Sequence, residues 1–190
     1  MVLASASPRR QEFLEQLGLG FEVRPADIDE TPWPDEIPED FARRMARTKA
    51  EQVALPSPEA CVIAADTVVA LDRTIFGKPR DRNDALAILK TLQGRTHRVI
   101  TGFAVLCPSL HLVEVQAVTT QVTFAAHADR ILQAYVDSGE PMDKAGAYGI
   151  QGKGAFLVQN IHGSHSNVIG LPVSELMQIL LRHDLIKTLT

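Results

Sequence analysis

Guanidinium forks match phosphate oxygens in geometry, which draws attention first to Ser5-Ala6-Ser7-Pro8-Arg9-Arg10. This segment follows a short apolar run, Val2-Leu3-Ala4, and leads into a helix with Ser7 as N-cap and Pro8 at the first helical position. Backbone N–H groups and the positive helix end make such a junction an anion site. Two arginines in the first turn oppose the helix dipole, at a cost of about a few tenths of a kcal/mol that a bound polyanion would offset. The competing reading is a solvated Ser/Arg cap, because charge is cheap at a surface.

Other residues stand out of pattern in the same way. Lys49 lies four residues after Met45 and four before Val53, on the apolar stripe of a helix. Its ammonium either snorkels to water or points at a partner in a cleft. Asp66-Thr67 closes an uncharged run from Cys61 to Ala65, read here as the end of a strand. Acids at such ends hold cations or take protons, or simply form a turn. Gly77-Lys78-Pro79 presents a lysine on a stiff loop, but Pro79 excludes a Walker A motif. From Asp143 to Gly154 there are four glycines in twelve residues, a loop for close approach or a plain surface loop. Within it Asp143, Lys144 and Gln151 offer charge and an amide, and an amide can read the carbonyl/N–H edge of a pyrimidine. His162 and His165 lack a third ligand at metal spacing and read as turn residues.

Composition narrows the class. The chain has 190 residues, 45% hydrophobic and 22% charged, enough for a core without staples. A net charge of −4, with two tyrosines and one tryptophan, argues against a nucleic-acid binder. No segment has the length of a membrane span, and Met1 to Ser7 does not read as a signal peptide, so the expectation is a cytoplasmic protein. Cys61 and Cys107 each sit alone in apolar runs and read as two separate buried thiols.

The elements that must position these residues follow from periodicity. Helices are expected from Ser7 to the stop at Gly18, over 39–54, from Asp81 to Gly94, and over 128–137 and 173–183. Strands are expected at 2–4, 21–23, 61–65 and 155–159, with 68–71 extended beyond Asp66-Thr67 and a hairpin of 96–107 and 111–124 turning near Pro108-Ser109. Residues 25–38 form an acidic loop with four prolines. Strands and helices mix without a strict βαβ rhythm, which predicts an α/β or α+β fold on a mixed sheet.

Taken in order, these segments resemble the Maf family of nucleoside triphosphate pyrophosphatases. The match rests on Ser5 to Arg10, Glu30, Lys49-Ala50, Ala65-Asp66-Thr67, Gly77-Lys78-Pro79, Asp143 to Gly152, Gly163-Ser164 and Asn167 to Pro172. It runs from Leu3 to about Leu181. The resemblance implies an α/β fold, a twisted mixed sheet with two lobes around a deep cleft in one domain over 1–190, similar to the inosine-triphosphate pyrophosphatases. It implies hydrolysis of a nucleoside triphosphate to the monophosphate and pyrophosphate, with Mg²⁺ or Mn²⁺ as cofactor and a homodimer. The run from Asp143 to Gly152 is similar to the branch acting on dTTP and UTP, rather than the 7-methyl-GTP branch. A base-modified pyrimidine nucleotide would look alike at this level.

On this resemblance Asp66, Lys49 and Lys78 are catalytic, and Ser5, Ser7, Arg9 and Arg10 bind phosphate. Glu30 and Asp66 hold the metal, and Arg10, Thr67 and Gln151 set base preference. Asp143 and Lys144 support the loop of Gln151. The rival reading is a nucleotide-binding regulator of cell division without turnover, since the family carries a label as an inhibitor of septum formation. Segment 31–38 and the tail after Arg182 match no recognised pattern.

Overall fold

The apolar run that starts after Cys61 becomes an interior strand of a seven-stranded mixed sheet in the computed structural model, which describes residues 1–186. The chain runs β1 (Val2–Leu3), α1 (Pro8–Gln16), β2 (Glu22–Val23), α2 (Pro38–Ala54), β3 (Val62–Leu71), β4 (Thr74–Phe76) and α3 (Arg82–Leu92). It continues with β5 (Thr96–Cys107), β6 (Leu112–Phe124), α4 (Asp129–Asp137), β7 (Val158–His162), α5 (His165–Ile169) and α6 (Val173–Arg182). The strand order is β2-β1-β3-β5-β6-β7, with β4 paired to β3. β1 is parallel to β2 and to β3, while β4 and β7 are antiparallel to their neighbours. The fold is thus α/β on a mixed, open sheet, as the pattern of elements predicts.

Two compact units divide the described chain. The first comprises 1–66, 101–118 and the residues from Gly170 on, and the second 67–100 and 119–169. In the first unit both faces of β3 are covered. Ile63 and Ala65 pack with Leu3, Leu14, Phe103, Leu171 and Leu176. Val62 and Ala64, pointing the other way, pack with Ala46, Ala50 and Val53 of α2. Burial on both faces explains why this strand reads as a continuous apolar run rather than an alternation. Helix α2 approaches the sheet through alanines, and at Gly102 of β5 the carbonyl of Ala42 stands where a Cβ would be. Only glycine permits that approach.

In the second unit Val69, Leu71, Leu89, Leu92, Leu132, Val136 and Leu157 form the core. His97 is buried within it, with a hydrogen bond of 2.8 Å to the Tyr148 hydroxyl. The Phe124 ring stands edge-on to both, with centroids 4.7 Å from His97 and 4.6 Å from Tyr148. Asp81 caps α3 as expected, accepting the Asp84 N–H at 2.8 Å. The Asp84 carboxylate in turn accepts the Arg80 N–H at 2.9 Å.

Several expectations are corrected. Cys61 and Cys107 are not separate thiols: they pair as a disulfide, with Cα atoms 4.3 Å apart at the ends of neighbouring strands. Their separation of 46 residues hides this closeness, which the adjacency of β3 and β5 creates. Strand β4 was not expected, because three residues carry too little periodicity. The strand expected at 155–159 starts at Val158, since a 3-10 turn occupies Gly152–Leu157. His162 ends β7 and His165 opens α5, so neither is a turn residue. Four residues of the tail, 187–190, lie outside the described residues.

Burial drives the His97 imidazole down to about 4 from its ordinary 6.5, so it folds neutral. The unfolded chain then binds the extra proton between those values, and stability falls as pH falls through that window. Full above about pH 6.5, the contribution is lost by about pH 4, on the order of 3 kcal/mol. His97→Gln keeps a partner for Tyr148 and should flatten the loss by that amount, measured as urea midpoints from pH 7 to 4.

Candidate active site

Lys49 is the first residue whose environment departs from a plain helix. It sits on the buried face of α2 between Ala46 and Val53, and its side chain is only 11% exposed. The ammonium does not snorkel. It lies 2.6 Å from Asp66 Oδ1 and 2.6 Å from Glu30 Oε1. Asp66 is nearly as buried as the lysine, while Glu30 is 56% exposed. One cation thus joins two carboxylates that come from a loop and a strand, 36 residues apart by number (66 − 30). Asp66 does not end its strand, as read from sequence. β3 continues unbroken through it to Leu71, and its backbone is held rigidly in the ladder. Asp66 is also the last residue of the first unit, and Thr67 begins the second.

Arg10 approaches the same stretch of β3 from α1. Its Nη1 donates to the Ala65 carbonyl at 2.8 Å and to Ser5 Oγ at 3.0 Å, and its Nε donates to the Gly170 carbonyl at 2.8 Å. Burial pulls the guanidinium below its ordinary value, and the Asp66 carboxylate works against that pull. Arg10 therefore ties the start of α1 to the strand carrying Asp66 and to the turn before α6. Ser5 is buried, and its oxygen also accepts the Ser7 N–H at 3.2 Å. Ser7 takes the N-cap position, yet its side chain makes no capping bond. The Arg10 and Gln11 N–H groups of the first turn of α1 donate instead to the Ser7 carbonyl, each at 3.2 Å, so what suits an anion there is the positive helix end together with the arginine side chains. Arg9 follows Pro8 in that turn and is half-buried. The first unit thus gathers Ser5, Arg10, Lys49, Glu30 and Asp66 through direct bonds or adjacent residues, with Ser7 and Arg9 next to them in the chain.

Thr67, Lys78, Asp143, Lys144 and Gln151 belong to the second unit. Lys78 is exposed on the loop after β4 and borders an open pocket of about 430 Å³ with Thr74, Phe76, Arg80 and Thr91. The preceding Gly77 carbonyl accepts the Gly146 N–H at 3.0 Å, joining this loop to the glycine-rich segment. Gln151 is exposed and precedes the 3-10 turn at Gly152. The Lys144 ammonium donates to Asp143 Oδ1 at 2.6 Å and to the Glu140 carbonyl at 2.7 Å.

Sequence reading missed two residues that shape this loop. Glu140 Oε1 accepts the Gly154 N–H and Oε2 the Lys153 N–H, each at 3.0 Å. The Tyr135 hydroxyl donates to Glu140 at 3.2 Å and accepts the Gly149 N–H at 3.3 Å. Burial pushes that hydroxyl well above its ordinary pKa, so it stays a donor. Gln151 is bracketed by these four bonds. The only sequence signal was an acid between the helix stop at Gly139 and Pro141, which is common in turns.

Two hard oxygen donors around one cation suit an oxygen-preferring divalent ion as well as an ammonium. Among the described residues no group of three or more His, Cys, Asp or Glu forms a metal cluster. A two-carboxylate set suits an ion that completes its shell with water and phosphate, as Mg²⁺ does. Also among the described residues, no helix is long and apolar enough to cross a membrane.

Comparison with known proteins sets this geometry in context. The profile of the family described as Maf-like protein matches residues 1–183. A dTTP/UTP pyrophosphatase of Desulfotalea psychrophila is 52% identical over 186 residues, covering 98% of this chain and 95% of that protein. One of Myxococcus xanthus is 52% identical over 97% of this chain and 93% of its own length. A third, of Nitratidesulfovibrio vulgaris, is 50% identical over 98% and 89%.

Removing the shared cation is the sharpest test of this geometry. Lys49→Met should cost about 3–5 kcal/mol, because Asp66 is then buried without a partner and faces a second carboxylate. Adding Asp66→Asn should recover part of that loss in urea unfolding. Additive losses would mean that the two side chains are not coupled.

Proposed function

This chain belongs to the Maf-like protein family, and from that premise we propose that it hydrolyses dTTP and UTP to the nucleoside monophosphate and pyrophosphate. The observation that carries the reading is the buried Lys49 ammonium held by Asp66 and Glu30, beside the phosphate-suited start of α1. A cluster of one cation and two carboxylates is costly to bury, and its excess negative charge suits a site that would take a divalent cation together with a polyphosphate.

In the reaction a water oxygen attacks the α-phosphorus, and the bond from that phosphorus to the α–β bridging oxygen breaks. Pyrophosphate leaves with the bridging oxygen. Asp66 accepts the proton of the attacking water. The strand backbone fixes this carboxylate, and Arg10 holds the strand residue before it. Lys49 neutralises charge on the polyphosphate once the nucleotide competes for its ammonium. Lys78, Arg9 and Arg10 add donors for the β and γ phosphates, with Ser5 and Ser7 supplying hydroxyls. Glu30 and Asp66 would hold the Mg²⁺ or Mn²⁺ that, when bound, polarises a phosphoryl oxygen and lowers the pKa of water.

Base choice is assigned to Gln151, with Thr67 and Arg10. The exposed Gln151 amide pairs with the carbonyl/N–H edge that uracil and thymine share. Asp143 and Lys144 support the loop by their mutual ion pair and the bond to Glu140. The proposal extends to a cytoplasmic homodimer, in keeping with a nucleotide substrate and the resemblance. Light scattering of the pure protein checks the assembly.

The decisive assay incubates the protein with a panel of nucleoside triphosphates, with and without Mg²⁺, and separates pyrophosphate from orthophosphate. Pyrophosphate from dTTP and UTP is expected, while orthophosphate with a diphosphate would mean cleavage at another bond. Asp66→Asn should lower kcat at least about 100-fold with the fold retained by circular dichroism. Gln151→Glu should shift the ratio of dTTP to purine turnover by about 10-fold or more, since a lost amide donor leaves a base edge unpaired. Equal losses for every nucleotide would remove Gln151 from base reading.

A further inference from the structure

The acidic, proline-containing segment 31–38 follows directly on Glu30 and matches no recognised pattern, yet it is not loosely held. One side chain of α2 gathers it. Arg44 donates from Nε to Glu36 Oε1 at 2.7 Å and from Nη2 to Glu36 Oε2 at 2.6 Å, a bidentate fork. Its Nη2 also donates to the Thr31 carbonyl at 3.1 Å. The guanidinium stacks over the Trp33 ring at 4.0 Å. Glu36 Oε2 in turn accepts the Trp33 N–H at 3.0 Å. Arg44 and Glu36 are 19% and 6% exposed, so this is not a solvated surface pair. Trp33 remains 63% exposed, which is too open for a core anchor.

The N-terminal side of Glu30 is held as firmly. Asp29 Oδ1 accepts both the N–H and the hydroxyl of Thr31, at 2.9 and 2.6 Å. Glu30 is therefore the middle residue of a closed Asx turn whose far end is tied to Arg44. A carboxylate more than half exposed would otherwise sample many positions, yet this one sits 2.6 Å from Lys49.

We propose that Arg44 is a positioning residue for Glu30. By clamping Thr31, Trp33 and Glu36 onto α2, it keeps the Glu30 carboxylate at the Lys49 ammonium, opposite Asp66. The inference rests on the hydrolytic reading above for its consequence in turnover, but not for the clamp itself. Lysine cannot replace Arg44, because it lacks the fork, the planar stacking face and the second donor for Thr31.

Trp33 is the chain's one tryptophan, so its emission reports the clamp directly. Arg44→Lys should raise acrylamide quenching of Trp33 and lower kcat for dTTP on the order of 10- to 100-fold, with KM changed much less. Its melting temperature should stay within a few degrees of the parent, because lysine keeps a cation beside the Glu36 carboxylate. Glu30→Gln serves as the reference, and the double variant Arg44→Lys, Glu30→Gln should fall no further than Glu30→Gln alone. Multiplied losses in the double variant would overturn the proposal, because Arg44 would then act elsewhere. Unchanged kcat in Arg44→Lys, with Glu30→Gln impaired, would overturn it too and leave the hydrolytic reading standing. A parent chain that cleaves no nucleotide would instead defeat the hydrolytic reading. Quenching would then decide the clamp, and equal quenching in parent and variant would refute it.

Discussion

A single buried ammonium between two carboxylates is the constraint around which the first unit is arranged. Lys49 can be buried only because Asp66 and Glu30 are brought to it. That requires α2 to lie close against the sheet, which its alanines and Gly102 allow. It requires β3 to be fixed in depth and register, which parallel pairing with β1 and apolar packing on both faces provide. It also requires the loop after β2 to return to α2, where Arg44 and the Asp29 turn receive it. The electrostatic arrangement and the packing are one design, since a shift of α2 would part the charges before it opened a cavity.

The second unit solves a different problem. Its glycine-rich loop needs unusual backbone geometry, with positive φ at Gly146, Ala147 and Gly152. Ala147 and Tyr148 pack this segment into the core, and polar groups hold the rest of it. Glu140 and Tyr135 satisfy its N–H groups, and Tyr148 anchors it in the aromatic group with His97 and Phe124. The result presents Gln151 outward from a loop whose interior is fully bonded at several points.

Long elements with strong periodicity were legible from the residues alone. The helix over 39–54 begins at Pro38 and ends at Ala54, and the expected hairpin runs Thr96–Cys107 and Leu112–Phe124. Lys49 was visible as a charge on an apolar stripe, but its partners were not, because periodicity reports a face and not what meets it. The Cys61–Cys107 pair was missed for the same reason: it depends on which strands are neighbours. Arg44 gave no signal, since an arginine on the polar side of a helix is ordinary until the loop that covers it is seen. Ser7 shows the opposite failure, where the right residue type at an N-cap makes no capping bond. Local chemistry permits such a bond, and neighbouring groups decide whether it forms.

Gly102 carries a lesson for mutational scanning. It bears no side chain, touches no candidate ligand and lies inside a strand, where glycine is ordinarily a weak choice. Yet the Ala42 carbonyl occupies the space any larger residue would need. Every replacement must therefore push the whole α2 backbone outward, carrying Lys49 with it. A screen that scores activity alone would rank this glycine with the acids and lysines of the centre. Only a parallel measure of folded yield would reveal it as the hard stop against which the charged helix rests.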